Sequence, residues 1–422
     1  MSSYQIANQV MDLSDPETTL RLVEAHSRRD RPLCLCRQPP IEMYIAKRGD
    51  KYFVKRMPNT GADHDPACES YEPPAELSGL GEVLGSAIQE NVDDGTTVLK
   101  LAFSLTRLPG RAPAKGGPPT DSVKTDGTKL TLRGTLHYLY EQAGLNKWTP
   151  AMSGKRNWYV IRKYLLQAVE AKLAKGTPLS ELVYIPETFS TERQAEIAQR
   201  RLAQISTIAG PHKGNKRLML LIAEVKEIGP ARYGHKIVVK HAPDFPFGLT
   251  DELHKRLTKR FESELAVWNA DEGCHLLIVG TFGVGPTGYG ALEELSFVTV
   301  TENWIPFETV YDKAVLEKLT LERRSFVRGL RYNLAADRPF ACAVASDTRP
   351  KPVALYVLPS GASSELAQAL SALIEESGLL PWVWDAENDM PPLPERQGYR
   401  LIIKMPSSTV NEEPAQEETV CS

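Results

Sequence analysis

The chain has 422 residues, of which 42% are hydrophobic and 24% charged, and its formal net charge is −3. At roughly 100–200 residues per domain, this length predicts two to four domains with sizeable cores. The near-neutral charge excludes a globally basic nucleic-acid binder, so any such surface must be local. The longest apolar runs, 218–225 and 276–279, are far too short for a membrane span, which needs about 20 apolar residues.

The N-terminus, MSSYQIANQVMDLSDPETTL, has neither a basic segment nor an apolar stretch. It is therefore not typical of a signal peptide, and the expected compartment is the cytoplasm. In a reducing compartment, clustered cysteines more often bind a metal than form disulfides. Three of the six cysteines lie close together in the sequence and share their window with a histidine.

Cys34, Cys36, His64 and Cys68 have the spacing of a tetrahedral zinc site. A C-x-C pair is followed, after 27 residues, by H-x3-C, and two close pairs separated by a longer segment are typical of structural zinc. The segment 41–58 predicts a hairpin that would return the second pair to the first. Four ligands close the coordination sphere, so the predicted cofactor is one structural zinc ion and not a catalytic one. A chance cluster and a redox C-x-C pair are the alternatives.

The rest of the chain predicts a multi-domain α+β protein. Its segments are a zinc-binding β-hairpin module at 1–108, a flexible linker or loop at 109–129, a basic helical region at 130–210, a ββαββ domain at 211–310, an α/β domain at 311–404 and a disordered acidic tail at 405–422. The linker is rich in proline, glycine and lysine and has no periodicity. The helical region contains two helices joined by a short basic turn, a pattern typical of a helix-turn-helix-like element.

The C-terminal domain predicts a helix at 311–330, two strands, a helix and a strand, which resembles the core of PD-(D/E)XK nucleases. That chemistry needs an Asp on one strand and (Asp/Glu)-x-Lys on the next, to hold Mg²⁺. The strands at 340–344 and 354–357 carry no carboxylate, and the nearest acids, Asp337 and Asp347, are in predicted turns. We therefore expect a degenerate restriction-endonuclease-like domain that binds DNA or a partner without catalysis.

Long strings along most of the chain resemble one bacterial family. They are CLC at 34–36, VKRMPNTGADHDPACESYEPP at 54–74, LHYLYEQAGLNKWTPAMSGKRNWYVIRKYL at 136–165, GHKIVVKHAPDFPF at 234–247 and ENWIPFE at 302–308. On these strings the chain resembles the domain of unknown function 1173 family. That family has no assigned activity and is seen on bacterial chromosomes and on integrative or conjugative elements. The resemblance therefore implies a mobile-element setting, with proteins of such an element as partners, and not a reaction.

Two basic segments are candidates for nucleic-acid contact, because cations can bind phosphates while neighbouring aromatic rings stack on bases. The candidate cations are Lys47, Arg48, Lys51, Lys55 and Arg56 in the zinc hairpin, and Lys147, Lys155, Arg156, Arg162 and Lys163 in the helical region. Tyr52 and Phe53 lie among the first group, and Trp148, Trp158 and Tyr159 among the second. The alternative is a solvated basic surface whose tryptophans belong to the core.

Glu224 and Lys226 have the E-x-K spacing on a predicted strand, which makes them candidates for catalytic residues. A partner Asp should precede them by some ten to twenty residues, but 205–218 contains none. An exposed strand with alternating side chains would have the same sequence pattern, with Glu224 and Lys226 on one face. The Gly-rich segment 281–292 lacks G-x4-G-K-[ST] and predicts a hairpin turn.

These patterns together predict a zinc-containing nucleic-acid-binding protein, with DNA preferred over RNA, no membrane contact and no evident catalytic site. The first alternative is a metal-dependent nuclease that needs Mg²⁺ and uses Glu224 and Lys226, or Asp337 and Asp347. The second alternative is a protein-interaction scaffold without nucleic acid.

Overall fold

The structure is a computed structural model that describes residues 3–7, 9–12, 17–48, 50–107, 127–209, 216–285 and 288–396. Residues 109–126 of the predicted linker and the whole predicted tail at 405–422 lie outside the described residues. Within those ranges the chain is a mixed α+β structure, which confirms the fold class at that level.

The described ranges contain ten α-helices. They are α1 (Glu17–Arg28), α2 (Leu80–Val83), α3 (Leu132–Gln142), α4 (Trp158–Val169), α5 (Leu179–Leu182), α6 (Gln194–Ala209), α7 (Asp251–Arg260), α8 (Glu262–Ala270), α9 (Val310–Leu321) and α10 (Ser364–Ser377). Several begin after a Ser, Thr or Asn whose side chain accepts a hydrogen bond from a backbone N–H of the first turn, as Thr131 does for α3 and Asn157 for α4. None of the helices in this described part is long and apolar enough to cross a membrane.

The same ranges contain 23 strands, most of them short. They are β1 (Ser3–Ile6), β2 (Gln9–Asp12), β3 (Leu33–Cys34), β4 (Ile41–Arg48), β5 (Lys51–Arg56), β6 (Ile88–Glu90), β7 (Thr97–Leu99), β8 (Thr106–Arg107), β9 (Lys147–Trp148), β10 (Lys172–Ala174), β11 (Thr177–Pro178), β12 (Val183–Tyr184), β13 (Lys216–Arg217), β14 (Met219–Pro230), β15 (His235–Val239), β16 (Phe247–Leu249), β17 (His275–Val284), β18 (Gly290–Val300), β19 (Pro306–Phe307), β20 (Phe326–Arg328), β21 (Ala343–Ala345), β22 (Val353–Leu358) and β23 (Leu380–Asp385).

The N-terminal sheet has the strand order β2-β1-β3-β4-β5. Arg48 pairs with Lys51 across β4 and β5, which confirms the predicted hairpin. One face of the hairpin packs against α1, where Ile45 meets Leu22 and Ala25. Two smaller sheets follow, with β6, β7, β10 and β11 in one and β8 and β13 in the other.

Residues 219–300 form a closed five-stranded barrel. β14 pairs with β15 and β15 with β16, both antiparallel. β16 pairs with β18 in parallel, β18 pairs with β17, and β17 pairs back with β14. Helices α7 and α8 connect the third strand to the fourth. This arrangement corrects the predicted ββαββ pattern, in which β16 was missing because three residues are too few to show an alternating signal.

Alternation along each strand gives the barrel two apolar surfaces. Met219, Leu221 and Ala223 point into the barrel core, whereas Leu220 and Ile222 belong to a second core. That second core also contains residues of α3 and α4, so the two helices cover one side of the barrel. Irregularities in pairing at Val225–Glu227 and Thr281–Phe282 are the kind of bulge that bends strands for closure.

The C-terminal sheet has the order β23-β22-β21-β20-β9. In chain order it consists of α9, the antiparallel strands β20, β21 and β22, then α10 and a parallel strand β23. The predicted helix at 311–330 is wrong beyond Leu321, because Arg323 adopts a φ of 55° and the chain re-enters the sheet as β20. The predicted turn between α3 and α4 contains β9, which pairs with β20.

Candidate metal centre and charged sites

The side chains of Cys34, Cys36, His64 and Cys68 converge at one point in the N-terminal sheet. Their sulfur and imidazole nitrogen atoms all lie within 4.8 Å of one another. The Sγ atoms of Cys34 and Cys68 are 3.8 Å apart, and Nδ1 of His64 is 3.4 Å from Sγ of Cys36 and 3.7 Å from Sγ of Cys68. The sequence pattern therefore corresponds to a real cluster in space.

These distances fit a tetrahedral zinc ion. Bonds of about 2.3 Å to sulfur and about 2.0 Å to nitrogen, at tetrahedral angles, separate the ligand atoms by roughly 3.5–3.8 Å. Burial raises the pKa of Cys34 to about 12 and also raises the pKa of Cys36. Burial lowers the pKa of His64, which favours the neutral imidazole that a metal requires. The four residues form a candidate Cys3His metal site consistent with structural zinc.

The polypeptide around the cluster is held by hydrogen bonds of its backbone N–H and carbonyl groups. The N–H of Asp65 donates to Sγ of Cys36 at 3.4 Å, and the N–H of Cys68 donates to the carbonyl of Asp65 at 2.8 Å. Lys147, from the strand β9, donates from Nζ to the carbonyls of Glu69 and Tyr71 at 3.0 and 2.8 Å. The segment that carries the second ligand pair is thus anchored to the helical part of the protein.

The basic residues of the hairpin occupy different environments. Lys47 and Lys51 are exposed, and Nζ of Lys47 lies 5.6 Å above the ring of Tyr52. Arg56 is half-buried and forms an ion pair with Glu72. Lys55 is half-buried, and the side chain of Arg48 lies outside the described residues. Lys47 and Lys51 are therefore the hairpin cations best placed to meet a partner.

The cations of the helical region also fall into two sets, those bonded inside the protein and those exposed to solvent. The guanidinium of Arg156 donates to the carbonyls of Leu145 and Lys147, and Arg162 donates to the carbonyl of Ile185 at 3.1 Å. Their charged groups, like that of Lys147, are used inside the protein. Lys155 and Lys163 are exposed.

The aromatic residues of the helical region likewise include both buried and exposed side chains. Trp148 and Trp158 are buried, and Nε1 of Trp158 donates to the carbonyl of Pro186. The tryptophans therefore belong to the core, as the alternative interpretation of the sequence held. Tyr159 is 64% exposed and Tyr164 is 41% exposed, so tyrosines form the accessible aromatic surface of α4.

Glu224, in the middle of β14, lies at the centre of a charged cluster formed with residues just after β15 and at the start of β17. Its carboxylate is 2.7 Å from Nδ1 of His275, 2.5 Å from Nζ of Lys240 and 3.5 Å from Nε2 of His241. The side chain is 3% exposed, so the expected exposed face shared with Lys226 is wrong. A bulge in β14 separates the two, and Lys226 faces solvent. Burial acts to raise the pKa of Glu224, but hydrogen bonds from the two histidines and Lys240 outweigh it and lower the pKa to about 2.

Local sequence spacing did not reveal the partners of Glu224, because they come from residues 16, 17 and 51 positions away. Each histidine also stacks on a tryptophan. His241 lies on Trp158 at 5.1 Å between ring centroids, and His275 lies on Trp304 at 4.3 Å. With its oxygens shared among three partners, Glu224 acts as a structural tie between the barrel and the helical region.

The acids near the C-terminal sheet are not arranged as a metal site. Oδ atoms of Asp347 accept hydrogen bonds from Nε and NH2 of Arg324 at 3.0 and 2.8 Å, and from the N–H of Ser325 at 2.9 Å. Asp337 is exposed in a turn. Strands β21 and β22, both within the described ranges, carry no carboxylate. The Gly-rich segment joins β17 to β18, which confirms the predicted hairpin, although residues 286–287 lie outside the described part.

The fold and the site together define a mixed α+β protein with a candidate Cys3His metal centre and a closed five-stranded barrel. The family model described as a protein of unknown function, DUF1173, matches residues 4–387, and the chain belongs to this family. No curated protein and no solved structure gives a significant match.

Proposed function

We propose that this protein is a zinc-containing nucleic-acid-binding protein that has no catalytic site of its own. The observation that carries the proposal is an exposed surface at the start of α4, where Tyr159 and Lys163 lie four residues apart in the helix and Lys155 lies in the turn before it. Residues four apart in a helix lie on the same face. Lys155 is exposed three residues ahead of Trp158, the first residue of α4.

This face combines the two kinds of contact that nucleic acids make. Lys155 comes from the turn and Lys163 from the helix, so the two lysines can meet different phosphates of one strand. Between them the ring of Tyr159 is accessible for stacking. Nζ of Lys163 lies 5.7 Å from the ring centroid of Tyr164, which adds a second aromatic group to the same surface.

The zinc hairpin supplies a second cationic surface through Lys47 and Lys51. In this proposal the metal has a structural role, because its four ligands leave no open coordination position for a reaction. Lys147, Arg156 and Arg162 are left out of the binding surface, since their charged groups bind backbone carbonyls. The preference for DNA and the mobile-element setting implied by the family resemblance remain part of the proposal.

Fluorescence anisotropy with a labelled 20-nucleotide DNA, as a single strand and as a duplex, tests the proposal. The double variant Lys155→Ala, Lys163→Ala should bind at least about tenfold more weakly, and the slope of log K against log salt should fall by about 1–2, for two lost phosphate contacts. The matched control is Lys255→Ala, Lys259→Ala, which removes two exposed lysines, four residues apart, from α7. Equal losses in both variants, or no binding by the wild-type protein, would contradict the proposal.

A further inference from the structure

The strand order of the barrel points to a second surface. Counting from β14, the strands follow the order first, second, third, fifth, fourth and back to first, with helices between the third and the fourth. This is the order of the OB-fold, in which the outer face of the second and third strands, with the loops that follow the first and the fourth, binds oligonucleotides or oligosaccharides. A fold alone does not establish a function, so the residues on this face must decide.

In this protein that face consists of the outer sides of β15 and β16. Ile237, Val239 and Phe247 point into the barrel core. By alternation, Lys236 and Gly248 point outward, and the two are paired directly across the strands. The side of the barrel that packs against α3 and α4 is formed by β14, β17 and β18 instead.

Each of the two flanking loops presents a tyrosine. Tyr233, between β14 and β15, is 81% exposed, and Tyr289, between β17 and β18, is 42% exposed. The ring of Tyr289 lies on Gly248, where an added Cβ would be 2.5 Å from Cε1 and 2.8 Å from Oη. The missing side chain at Gly248 therefore lets the tyrosine ring lie against the centre of the face.

The charges near these rings favour a phosphate polymer over a neutral oligosaccharide. The segment 226–236 contains the cations Lys226, Arg232 and Lys236 and one acid, Glu227. The guanidinium of Arg232 lies 5.4 Å from the ring centroid of Tyr233. A cation beside an exposed ring can bind a phosphate while the ring stacks on the adjoining base.

We propose that the β15–β16 face binds single-stranded nucleic acid, with bases stacked on Tyr233 and Tyr289 and phosphates bound by Arg232 and Lys236. The strand must be single because a duplex keeps the faces of its bases stacked on one another. The inference rests on the proposed nucleic-acid binding and names the form of nucleic acid that is bound. It places the specificity for single strands on the barrel and leaves a general phosphate contact on α4.

The test is anisotropy on the full-length, zinc-loaded protein with labelled dT20, labelled rU20 and a labelled 20-base-pair DNA duplex. The double variant Tyr233→Ala, Tyr289→Ala should bind the single strands at least about 30-fold more weakly, since it loses two stacked bases that contribute at least about 1 kcal/mol each. Tyr233→Phe, Tyr289→Phe keeps the rings and should bind within about twofold of wild type. Gly248→Ala should weaken single-strand binding by displacing Tyr289.

The control is Leu321→Ala, which removes an exposed side chain at the end of α9. Wild-type affinity in the tyrosine-to-alanine variant, combined with a loss in the Lys155, Lys163 variant, overturns this inference and leaves the proposed function intact. The reverse result supports the barrel surface and rejects the α4 surface. A wild-type protein that binds no nucleic acid, even if it binds maltoheptaose, overturns both. A chain that prefers the duplex to dT20 and rU20 overturns the single-strand assignment.

Discussion

The Sγ atom of Cys36 lies 3.4 Å from Nδ1 of His64, although 28 residues separate the two in sequence. The hairpin formed by β4 and β5 accounts for this closeness, because it carries the chain away from the first ligand pair and returns it. At this distance both atoms can bind the same ion, so the pair defines one edge of a tetrahedron.

Purified protein should contain one zinc ion per chain. Cys36→Ser and His64→Ala should each leave well below one equivalent, because three ligands hold structural zinc much less tightly than four. Cys274→Ala is the control, since Cys274 is buried at a distance from the site in sequence and belongs to another core. The test is the zinc content of protein prepared without chelator, measured by atomic emission. Full zinc content in Cys36→Ser would contradict the assignment of Cys36 as a ligand.

Lys147→Met should destabilise the protein although Lys155→Met should not. The ammonium group of Lys147 satisfies two backbone carbonyls next to the metal site, and their loss should lower the free energy of unfolding by about 1–3 kcal/mol. Lys155 is exposed, and its replacement should change stability by less than about 0.5 kcal/mol. Urea unfolding followed by circular dichroism compares the two variants. Equal stabilities would mean that the contact does not hold the zinc segment in place.

Glu224→Gln should remove a contribution that the ionised carboxylate makes to the free energy of unfolding and that is lost at low pH. The pKa of Glu224 is about 2 in the folded protein against an ordinary value of 4.5, so its ionised form stabilises the fold above pH 4.5. This contribution, up to about 3 kcal/mol, is lost as the pH falls from 4.5 towards 2. The difference in unfolding free energy between wild type and variant should therefore be largest near pH 7 and shrink below pH 4.5. A difference that does not change with pH would argue against an ionised Glu224.

Glu141→Gln should have the opposite dependence on pH. Burial, reinforced by the neighbouring Glu72, raises the pKa of Glu141 from 4.5 to about 8, so the folded protein holds a proton that the unfolded chain releases. Stability should fall as the pH rises from 4.5 to 8, and the glutamine, which stays neutral, should remove this loss. At pH 8.5 the variant should be more stable than wild type by at least about 1 kcal/mol.

The control for this experiment is Tyr332→Phe. It removes the 2.9 Å hydrogen bond from Oη of Tyr332 to Glu141, which a glutamine at position 141 can keep. Urea titrations at several pH values between 5 and 8.5 measure both variants. Parallel pH profiles for wild type and Glu141→Gln would show that Glu141 is ionised in the folded protein.

The sequence was sufficient wherever the physical cause is local. The candidate Cys3His site could be found because two close pairs and a hairpin pattern lie within 35 residues, from Cys34 to Cys68. The hairpin itself follows from two alternating runs around Gly49 and Asp50. The mixed α+β class follows from periodicity alone, since helical and strand periods differ.

Tertiary structure decided which charges and rings are available. Arg156 and Lys155 are neighbours in sequence, but one guanidinium binds internal carbonyls and the other side chain faces solvent. The sequence around Glu224 is that of an exposed strand, but Glu224 is buried and contacts His275 of β17 and the residues Lys240 and His241 that follow β15. The composition gives the number of charged side chains but not which of them are buried.

The barrel shows the same division most clearly. The segments rich in apolar residues that form β14, β17 and β18 are long enough to be predicted as strands, whereas β16 becomes recognisable only through its pairing with β15 and β18. Closure depends on contacts between segments far apart in sequence, which no local pattern encodes. The sequence by itself therefore determined the candidate Cys3His cluster and the kinds of elements. The tertiary structure decided the ring of strands and the side chains that it buries, because both depend on long-range pairing.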